Sequence, residues 1–450
     1  MIRHLLYSFA MITCLFSDEV VVHLQTDVGG TSNIYLAGIR PLETSYEQAI
    51  NDTLRTDLGM FEKAKLLEIN ESMQFYAHNS DPAVAFQTAT WRSLNTKFVV
   101  VPKIEKQMLH IQIFDVSTAT LKTLTPIPLT QNISKDLHKI HRASDLICKL
   151  AFGSGGIASK RILYSYQPKS VSDENEAWRS EIWEMDYDGR NQKQITGEES
   201  YCITPAFIPN PNHPENYSFL YVTYKQGPPR IYISSRNRLK GVPLIPLRGN
   251  QLLPTLSLNQ DKIAFISDAS GRADLFIQPY HPEKGAIGKP FQLYSFPSSV
   301  QASPSFHPDG SKLAFVSDKN GTPKIYILDA VIPANDSLQN RKTPEPKLLS
   351  KTTPSSTSPS WSPDGKKIAF SAKINGVGQI WIYDIEQGEE KQLTTGPCDK
   401  ENPSWASNSL HLVYNTTSPT HDIYMINLNN PFPIRLTEGP GIKHYPVFEP

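Results

Sequence analysis

The sequence of 450 residues predicts a mainly β protein: a six-bladed β-propeller preceded by a small α/β domain. Three observations support this fold class. A unit of roughly 50 residues repeats through the last two thirds of the chain, which is typical of propellers. The part before it does not repeat and mixes helix and strand patterns. Proline supplies 36 of 450 residues, or 8% against a typical ~5%, so the chain must contain many turns.

The charge balance excludes several kinds of partner. Lys and Arg total 44, and Asp and Glu also total 44, so the formal net charge is zero. This balance argues against the broad basic face that binds nucleic acid and against the polybasic patch that binds anionic membranes. We therefore expect a protein that binds no nucleic acid and reaches membranes only through its partners. A monomer is also expected.

The first residues have the pattern of an export signal. A short basic start, Met1–His4, precedes the mostly apolar stretch Leu5–Phe16, and the acidic residues Asp18 and Glu19 follow directly. A stretch of this length is too short to span a bilayer but suits a secretory signal. The sequence predicts a signal peptide over residues 1–17; a lipoprotein signal at Cys14 is the less favoured alternative.

Residues 18–152 are predicted to form the α/β domain. Apolar residues at helical spacing predict a helix over Ser45–Leu67 and a second one from Ile133 to Leu150. The apolar run Phe98–Val101 predicts a central strand. Further strands are expected at Asn33–Ile39, Leu109–Val116 and Leu121–Leu124. The glycine-rich stretch Gly153–Gly156 is the predicted linker.

The repeats over residues 153–450 predict propeller blades. Prolines 205, 254, 304, 359 and 403 mark successive units, and each unit contains four short strand patterns. The proline is expected to open the first strand, where its missing N–H matters least. In the clearest units Pro-Asp-Gly follows and predicts a hairpin turn, with Asp309 and Asp364 as turn residues.

The number of blades follows from the two ends of the repeat region. The first unit begins at its second strand, Lys160–Tyr166, and lacks a strand of the Pro-x-aromatic type. The stretch Tyr445–Pro450 has that pattern with no unit after it. We therefore predict that strand 445–450 completes the first blade and closes a ring of six, which removes the open sheet edges.

No catalytic residues, cofactor or metal site are predicted. The chain contains no Gly-x-Ser-x-Gly motif, and Gly153–Gly156 lacks the Lys of a phosphate loop. His138 and His141 lie three residues apart on a predicted helix and could share a metal, but a feature of the helix surface is the favoured interpretation. The repeated aromatic residues are expected to pack between blades. A rigid binding protein is therefore predicted rather than an enzyme.

Several stretches resemble the TolB family, a periplasmic component of the Tol–Pal system of Gram-negative bacteria. They are His141-x-Ala-Ser-Asp145, Asp186-Tyr-Asp-Gly-x-Asn-Gln192, and Trp91 with the strand Val99–Val101. The resemblance implies a non-enzymatic role in the periplasm. It implies binding of the peptidoglycan-associated lipoprotein Pal by the propeller and of the inner-membrane protein TolA by the N-terminal segment, supporting outer-membrane invagination during division and envelope integrity.

The resemblance also implies which residues bind these partners. The Pal-binding loops of the family precede the first strand of each blade, and here they correspond to Thr204, Asn250, Leu253, Ala302, Ser303, Ser358 and Asn402. Family members carry a His and an acid where this chain has Asn250 and Ser303, which suggests a modified contact. Ordinary loop residues are the alternative interpretation.

The TolA-binding segment would be Asp18, Glu19, Val20, Val21, Val22 and His23. The alternative is that these residues form the first strand of the domain. Two rival functions remain open for the whole protein: a periplasmic propeller enzyme or small-ligand-binding protein that uses the central tunnel, and an assembly platform for other envelope proteins.

Overall fold

The computed structural model describes residues 30–79, 81–169, 178–210, 214–333 and 345–450. The expected signal peptide and the expected TolA-binding residues Asp18 to His23 lie outside these ranges. Within them, the N-terminal elements are β1 (Ser32–Leu36), α1 (Ser45–Gly59), β2 (Ala64–Leu66), α2 (Glu71–Ala77), α3 (Pro82–Ala85), α4 (Thr88–Ser93), β3 (Phe98–Glu105), β4 (Met108–Asp115), β5 (Thr120–Thr123), β6 (Ile127–Pro128) and α5 (Ile133–Phe152).

The N-terminal sheet has the strand order β2-β1-β3-β4-β5, and β6 also pairs with β4. Strand β3 lies in the middle, as the apolar run Phe98–Val101 predicts, because its side chains are buried on both faces. On one face α1 and α5 pack through a core that includes Ile50, Leu54, Ile140 and Ile147. This arrangement fixes α5 beside the propeller.

The first helix is shorter than predicted. The expected helix over Ser45–Leu67 ends at Gly59, and Ala64–Leu66 form the edge strand β2, which pairs in parallel with β1. The start is well specified, since the Thr44 side chain and Glu47 form a capping box. The end is set by the pairing with β1, which a helical periodicity in the sequence does not reveal. Helices α2 to α4 were not predicted.

The propeller strands form six sheets in the described part of the chain. Blade 1 contains β7 (Arg161–Gln167), β8 (Glu181–Asp186), β9 (Lys193–Gln194) and the inner strand β31 (Ile442–Phe448). Blade 2 contains β10 (Cys202–Ile208), β11 (Ser218–Thr223), β12 (Arg230–Ser235) and β13 (Val242–Pro243). Blade 3 contains β14 (Gln251–Leu256), β15 (Lys262–Ser267), β16 (Asp274–His281), β17 (Gly285–Ala286) and β18 (Phe291–Tyr294).

The other three blades repeat this plan. Blade 4 contains β19 (Gln301–Phe306), β20 (Lys312–Ser317), β21 (Lys324–Asp329) and β22 (Lys347–Leu348). Blade 5 contains β23 (Ser355–Trp361), β24 (Lys367–Ile374), β25 (Val377–Asp384) and β26 (Glu389–Gln392). Blade 6 contains β27 (Lys400–Trp405), β28 (His411–Thr416), β29 (Ile423–Asn427) and β30 (Asn430–Arg435). The predicted fold class, with six blades, is confirmed.

Blade 1 joins two distant parts of the chain. Strand β31 pairs antiparallel with β7, with Ile442 opposite Gln167 and Phe448 opposite Ile162. The strand begins three residues before the predicted Tyr445 and ends at Phe448. Between blades, aromatic side chains contribute to the packing: Trp405 of blade 6 belongs to the same buried apolar cluster as Ala369 and Ile380 of blade 5.

The sequence predicted that the repeated prolines open the inner strands, and this prediction is wrong. Each lies inside its strand, where the register with the neighbouring strand shifts, for example between Ile203 and Ala206 around Pro205. A proline has no N–H to donate, so it is accommodated where the hydrogen-bond ladder is already interrupted by a bulge. Among the described residues no helix combines the length and the apolar character needed to cross a membrane.

Candidate functional site

A cavity of about 210 Å³ lies on the propeller axis, where the inner strands converge. Each blade contributes one three-residue segment to its wall, so the wall has the six-fold repetition of the fold. The segments are Thr204-Pro205-Ala206, Leu253-Pro254-Thr255, Ser303-Pro304-Ser305, Ser358-Pro359-Ser360, Asn402-Pro403-Ser404 and Tyr445-Pro446-Val447. We call this cavity the channel.

The residue before each channel proline has an unusual backbone conformation. Thr204, Leu253, Ser303, Ser358, Asn402 and Tyr445 all have φ between 45° and 54°. A positive φ is uncommon outside glycine, and for a β-branched residue such as Thr204 it is an outlier. Its recurrence at the bulge of every blade means that the fold imposes it. Strain that is held in place by surrounding structure is often found at functional positions.

Polar groups in the channel wall are incompletely paired. The Ser358 hydroxyl donates to Asn402 Oδ1 at 3.0 Å, and Asn402 Nδ2 donates to Asn415 Oδ1 at 3.0 Å. Within the described residues, Thr204 Oγ1 of the wall has no hydrogen-bond partner; Nδ2 of Asn415, which is buried behind the wall, also has none. Buried polar groups without partners are unfavourable, so the wall offers hydrogen bonds to a molecule that enters it.

The lining of the channel is uncharged. None of its eighteen lining residues is an acid, Lys, Arg or His, and Tyr445 is the one with an ionisable side chain. Burial raises the pKa of Tyr445, and the nearby Tyr201, Glu401 and Tyr224 raise it further. A wall of this kind can bind through hydrogen bonds and apolar contact, but it supplies no side chain suited to general acid–base catalysis at neutral pH.

The two faces of the propeller differ. On the face where the inner strands begin, which we call the strand-start face, large side chains are exposed: Trp178 at 74%, Val300 at 53%, Phe296 at 39% and Tyr224 at 38%. The N-terminal domain lies on the opposite face, where Asn191 Nδ2 donates to the carbonyl of Ser134 at 3.4 Å. The strand-start face therefore presents the channel mouth together with apolar and aromatic surface.

A buried polar cluster joins the N-terminal domain to blade 1. Asp57 of α1 accepts hydrogen bonds from Tyr187 Oη at 2.7 Å, from Ser144 Oγ at 2.7 Å and from His141 Nδ1 at 2.9 Å. We call this region the junction. His141 is fully buried, so the expectation that it is a surface feature of the helix is wrong. His138 Nε2 instead lies 2.8 Å from Glu215 Oε1 of blade 2.

A family model described as the TolB beta propeller domain matches residues 150–416. A curated protein named Protein TolB homolog, from Protochlamydia amoebophila (strain UWE25), is 44% identical over 389 residues, which cover 86% of this chain and 82% of that protein. The chain belongs to the TolB family. TolB proteins are periplasmic, non-enzymatic components of the Tol–Pal system, and the predicted family membership is confirmed.

Further comparisons agree with the TolB assignment. The Protein TolB homolog of Chlamydia pneumoniae is 39% identical over 331 residues, covering 73% of this chain and 74% of that protein. The crystal structure of TolB from Acinetobacter baumannii superposes with a TM-score of 0.68 at 20% identity, and the match covers 93% of this chain and 97% of that one. At this identity the superposition supports the fold alone.

The structure brings together most of the residues that the TolB resemblance singled out. Five of them, Thr204, Leu253, Ser303, Ser358 and Asn402, line the channel. They lie inside the inner strands rather than in loops before them, because each strand begins three or four residues before its proline.

Asn250 and Ala302 are not among the lining residues. Asn250 precedes β14, and its Nδ2 donates to Asp268 Oδ2 at 2.7 Å. Sequence reasoning missed Tyr445, the sixth member of the ring. The signal was present, since Tyr445-Pro446 repeats the pattern of a residue before a blade proline.

Proposed function

We propose that this protein acts as a monomeric periplasmic docking component of the Tol–Pal system. Its propeller binds a Pal-like peptidoglycan-associated lipoprotein over the channel mouth on the strand-start face. Its N-terminal segment, exported by a signal peptide over residues 1–17, binds a TolA-like inner-membrane protein. Together these contacts support outer-membrane invagination during division and the integrity of the envelope.

The observation that carries the Pal proposal is the ring of six equivalent residues with positive φ around an uncharged channel. It combines a rigid scaffold with unpaired polar groups such as Thr204 Oγ1. The exposed Tyr224, Phe296 and Val300 on the same face as the mouth are the kind of apolar and aromatic groups that anchor protein interfaces. A partner segment can enter the channel while the surface around it packs on this rim.

The size and chemistry of the channel favour a protein partner over the rival functions that use the tunnel. Its 210 Å³ is below the ~300–1,000 Å³ typical of sites for drug-sized ligands. Its lining carries no carboxylate or imidazole for catalysis. The proposal therefore assigns no substrate and no cofactor to the protein.

The Pal interaction can be tested with a charge placed in the channel. Ser303→Arg fills much of the cavity and buries a cation, so affinity for a purified peptidoglycan-associated lipoprotein from the same source should fall at least ~10-fold, or about 1.4 kcal/mol. Ser311→Arg is the matched control: it lies in the same blade on an exposed turn at the opposite face. Equal affinities of the two variants in a titration would contradict the proposal.

The two partner sites can be separated by a deletion. Removing Asp18 to Thr26 should abolish capture of a TolA-like protein and leave Pal binding intact. Loss of both interactions would refute the separation of the sites. A pull-down from envelope extract tests the alternative that the protein is an assembly platform for other envelope proteins. Recovery of a peptidoglycan-binding lipoprotein supports the Pal proposal, and recovery of other envelope proteins instead supports the alternative.

A further inference from the structure

We propose that His141, Asp186 and Asp188 form a binding site for a divalent first-row transition-metal ion such as Zn²⁺, placed between α5 and the first blade. His141 comes from the N-terminal helix. Asp186 is the last residue of β8, and Asp188 lies in the turn that follows. Such an ion would link the N-terminal domain directly to the propeller, a role separate from partner binding at the channel.

The three side chains already converge. One ligand atom of each lies within 4.8 Å of the others, and His141 Nε2 is 3.6 Å from Asp188 Oδ2. In a tetrahedral site, bonds of about 2.0–2.2 Å place the donor atoms about 3.4 Å apart. The side chains therefore need to move by about 1 Å to bind the ion, and no rearrangement of the backbone is required.

The imidazole of His141 is the decisive group. Its side chain is fully buried, and within the described residues its Nε2 has no hydrogen-bond partner. Its Nδ1 lies 2.9 Å from Asp57 Oδ2, which as a carboxylate requires a proton on Nδ1. In the neutral tautomer the Nε2 lone pair then faces the carboxylates of Asp186 and Asp188. A cation bound between the three groups would accept this lone pair and balance the negative charge.

The Asp57 contact is also the usual support for a metal-binding histidine. Such a histidine almost always donates its other ring N–H to a carboxylate or carbonyl, which fixes the tautomer and the ring orientation. Asp57 is itself held by Tyr187 Oη and Ser144 Oγ, both at 2.7 Å. The outer part of a metal site is therefore already assembled.

The charge of the cluster suits a dication. The carboxylates of Asp57, Asp186 and Asp188 contribute −3, and Arg190, whose guanidinium is 2.6 Å from Asp188 Oδ2, contributes +1, which leaves −2. Other titratable groups near the cluster are Tyr187, which donates to Asp57, and His138, whose Nδ1 is 3.9 Å from Asp186 Oδ1. Asp145 and Cys148 of α5 also interact electrostatically with Asp57, and Asp145 adds to the negative charge. A doubly charged ion would offset most of this excess.

The donor types and the access route narrow the choice of metal. Imidazole suits Zn²⁺ and its neighbours, whereas Mg²⁺ and Ca²⁺ prefer all-oxygen sites. Asp186 lines a cavity of about 800 Å³ between the domains, which offers an entry path. Asn191 Nδ2 donates to Asp186 Oδ2 at 2.7 Å, which leaves Asp186 Oδ1 as the oxygen that would bind the ion.

The test uses the full chain, treated with a chelator and dialysed, and titrated with Zn²⁺ in competition with a chromophoric chelator. Asp188→Asn removes a proposed ligand, so the affinity for Zn²⁺ at this site should fall. Mutation of a residue that only hydrogen-bonds to a ligand typically weakens metal binding ~10–100-fold, and loss of a ligand should weaken it at least as much. Asp364→Asn is the matched control and should leave this site unchanged. Asp364 Oδ1 accepts the Lys366 N–H at 3.0 Å just as Asp188 Oδ1 accepts the Arg190 N–H at 3.0 Å.

Zn²⁺ should also raise the melting temperature of the wild type and of Asp364→Asn, but not that of Asp188→Asn. If Asp188→Asn fails to fold, Asp186→Asn replaces it in both measurements. Identical Zn²⁺ titrations of wild type and a folded ligand variant would overturn the proposal. So would a wild type that binds no Zn²⁺; a protonated His141 would then be the cation that balances the cluster.

Discussion

The channel is built from six equivalent segments and carries no charged side chain, whereas the junction is built from unrelated segments and buries several charged groups. At the channel, the same bulge and the same positive φ recur in every blade from Thr204 to Tyr445. At the junction, Asp57, His141 and Asp188 meet once. The repeated segments give the channel a rigid, uncharged wall. The junction forms at one place only, where two helices contact the turn of blade 1, and its charged groups make a specific electrostatic contact.

The contrast predicts that single substitutions affect the two regions very differently. Asp57→Ala leaves three donors without their acceptor, so the free energy of unfolding should fall by about 3–5 kcal/mol. Asp52→Ala, on the exposed side of the same helix, should change it by less than about 0.5 kcal/mol. Urea denaturation followed by tryptophan fluorescence measures both. Similar effects of the two variants would mean that the junction contributes little to stability.

The same Asp-Gly turn should tolerate change in a repeat but not at the junction. Gly189 has φ of 85°, and a Cβ there would overlap the carbonyl oxygen of Leu436, whereas at Gly310, with φ of 73°, the nearest atoms are 3.7 Å away. Gly310→Ala should lower the free energy of unfolding by about 1–2 kcal/mol through strain alone. Gly189→Ala adds the overlap and should lower it by about 2–4 kcal/mol. Chemical denaturation of the pair would reveal any reversal of this order.

Acid should loosen the junction before the channel. The hydrogen bond from His138, opposed by burial and aided by Arg161, lowers the pKa of Glu215 from 4.5 to about 2. Its folded-state pKa is below the unfolded value, so its contribution is complete above about pH 4.5 and disappears as the pH falls through 2. Because Glu215 is 42% exposed, the effect should stay below about 1 kcal/mol.

The measurement for this effect is the free energy of unfolding between pH 6 and pH 2. Glu215→Gln should show a shallower decline than the wild type over that range. A control is Glu386→Gln, which changes an exposed acid far from the junction. If the two variants follow the same curve, the ion pairs of Glu215 do not stabilise the fold.

The smallest effect concerns the strained ring of the channel. Ser303 has φ of 45°, so Ser303→Gly relieves strain and should raise the free energy of unfolding by about 0.5 kcal/mol after the entropy of glycine is subtracted. Ser305→Gly should have the opposite sign, because Ser305 has no positive φ and its Oγ accepts the Trp361 N–H at 3.0 Å. Thermal melts measure both changes in stability. If the two variants shift the melting temperature in the same direction, Ser303 is not strained.

Local patterns were sufficient for the blades and for α5. The helix starts at Ile133 as expected, since Asn132 caps its first turn, and Gly153 ends it with φ of 78°. Local sequence patterns did not predict the structure where a segment's conformation depends on contact with a part of the chain that is distant in sequence. Ala64–Leu66 form a strand only because β1 lies beside them. The role of His141 was also not visible, because its partners Asp57 and Asp188 are far away in the sequence.

The sequence by itself determined the six-bladed plan and the α/β domain before it, because repeats and periodicities record which side of each element is buried. Five of the six residues that ring the channel were indicated only by the resemblance to the TolB family. Tertiary structure alone decided that the prolines lie within bulges and that His141 is enclosed by carboxylates. These features depend on the close approach of segments that are distant in the chain, and no local pattern encodes that approach.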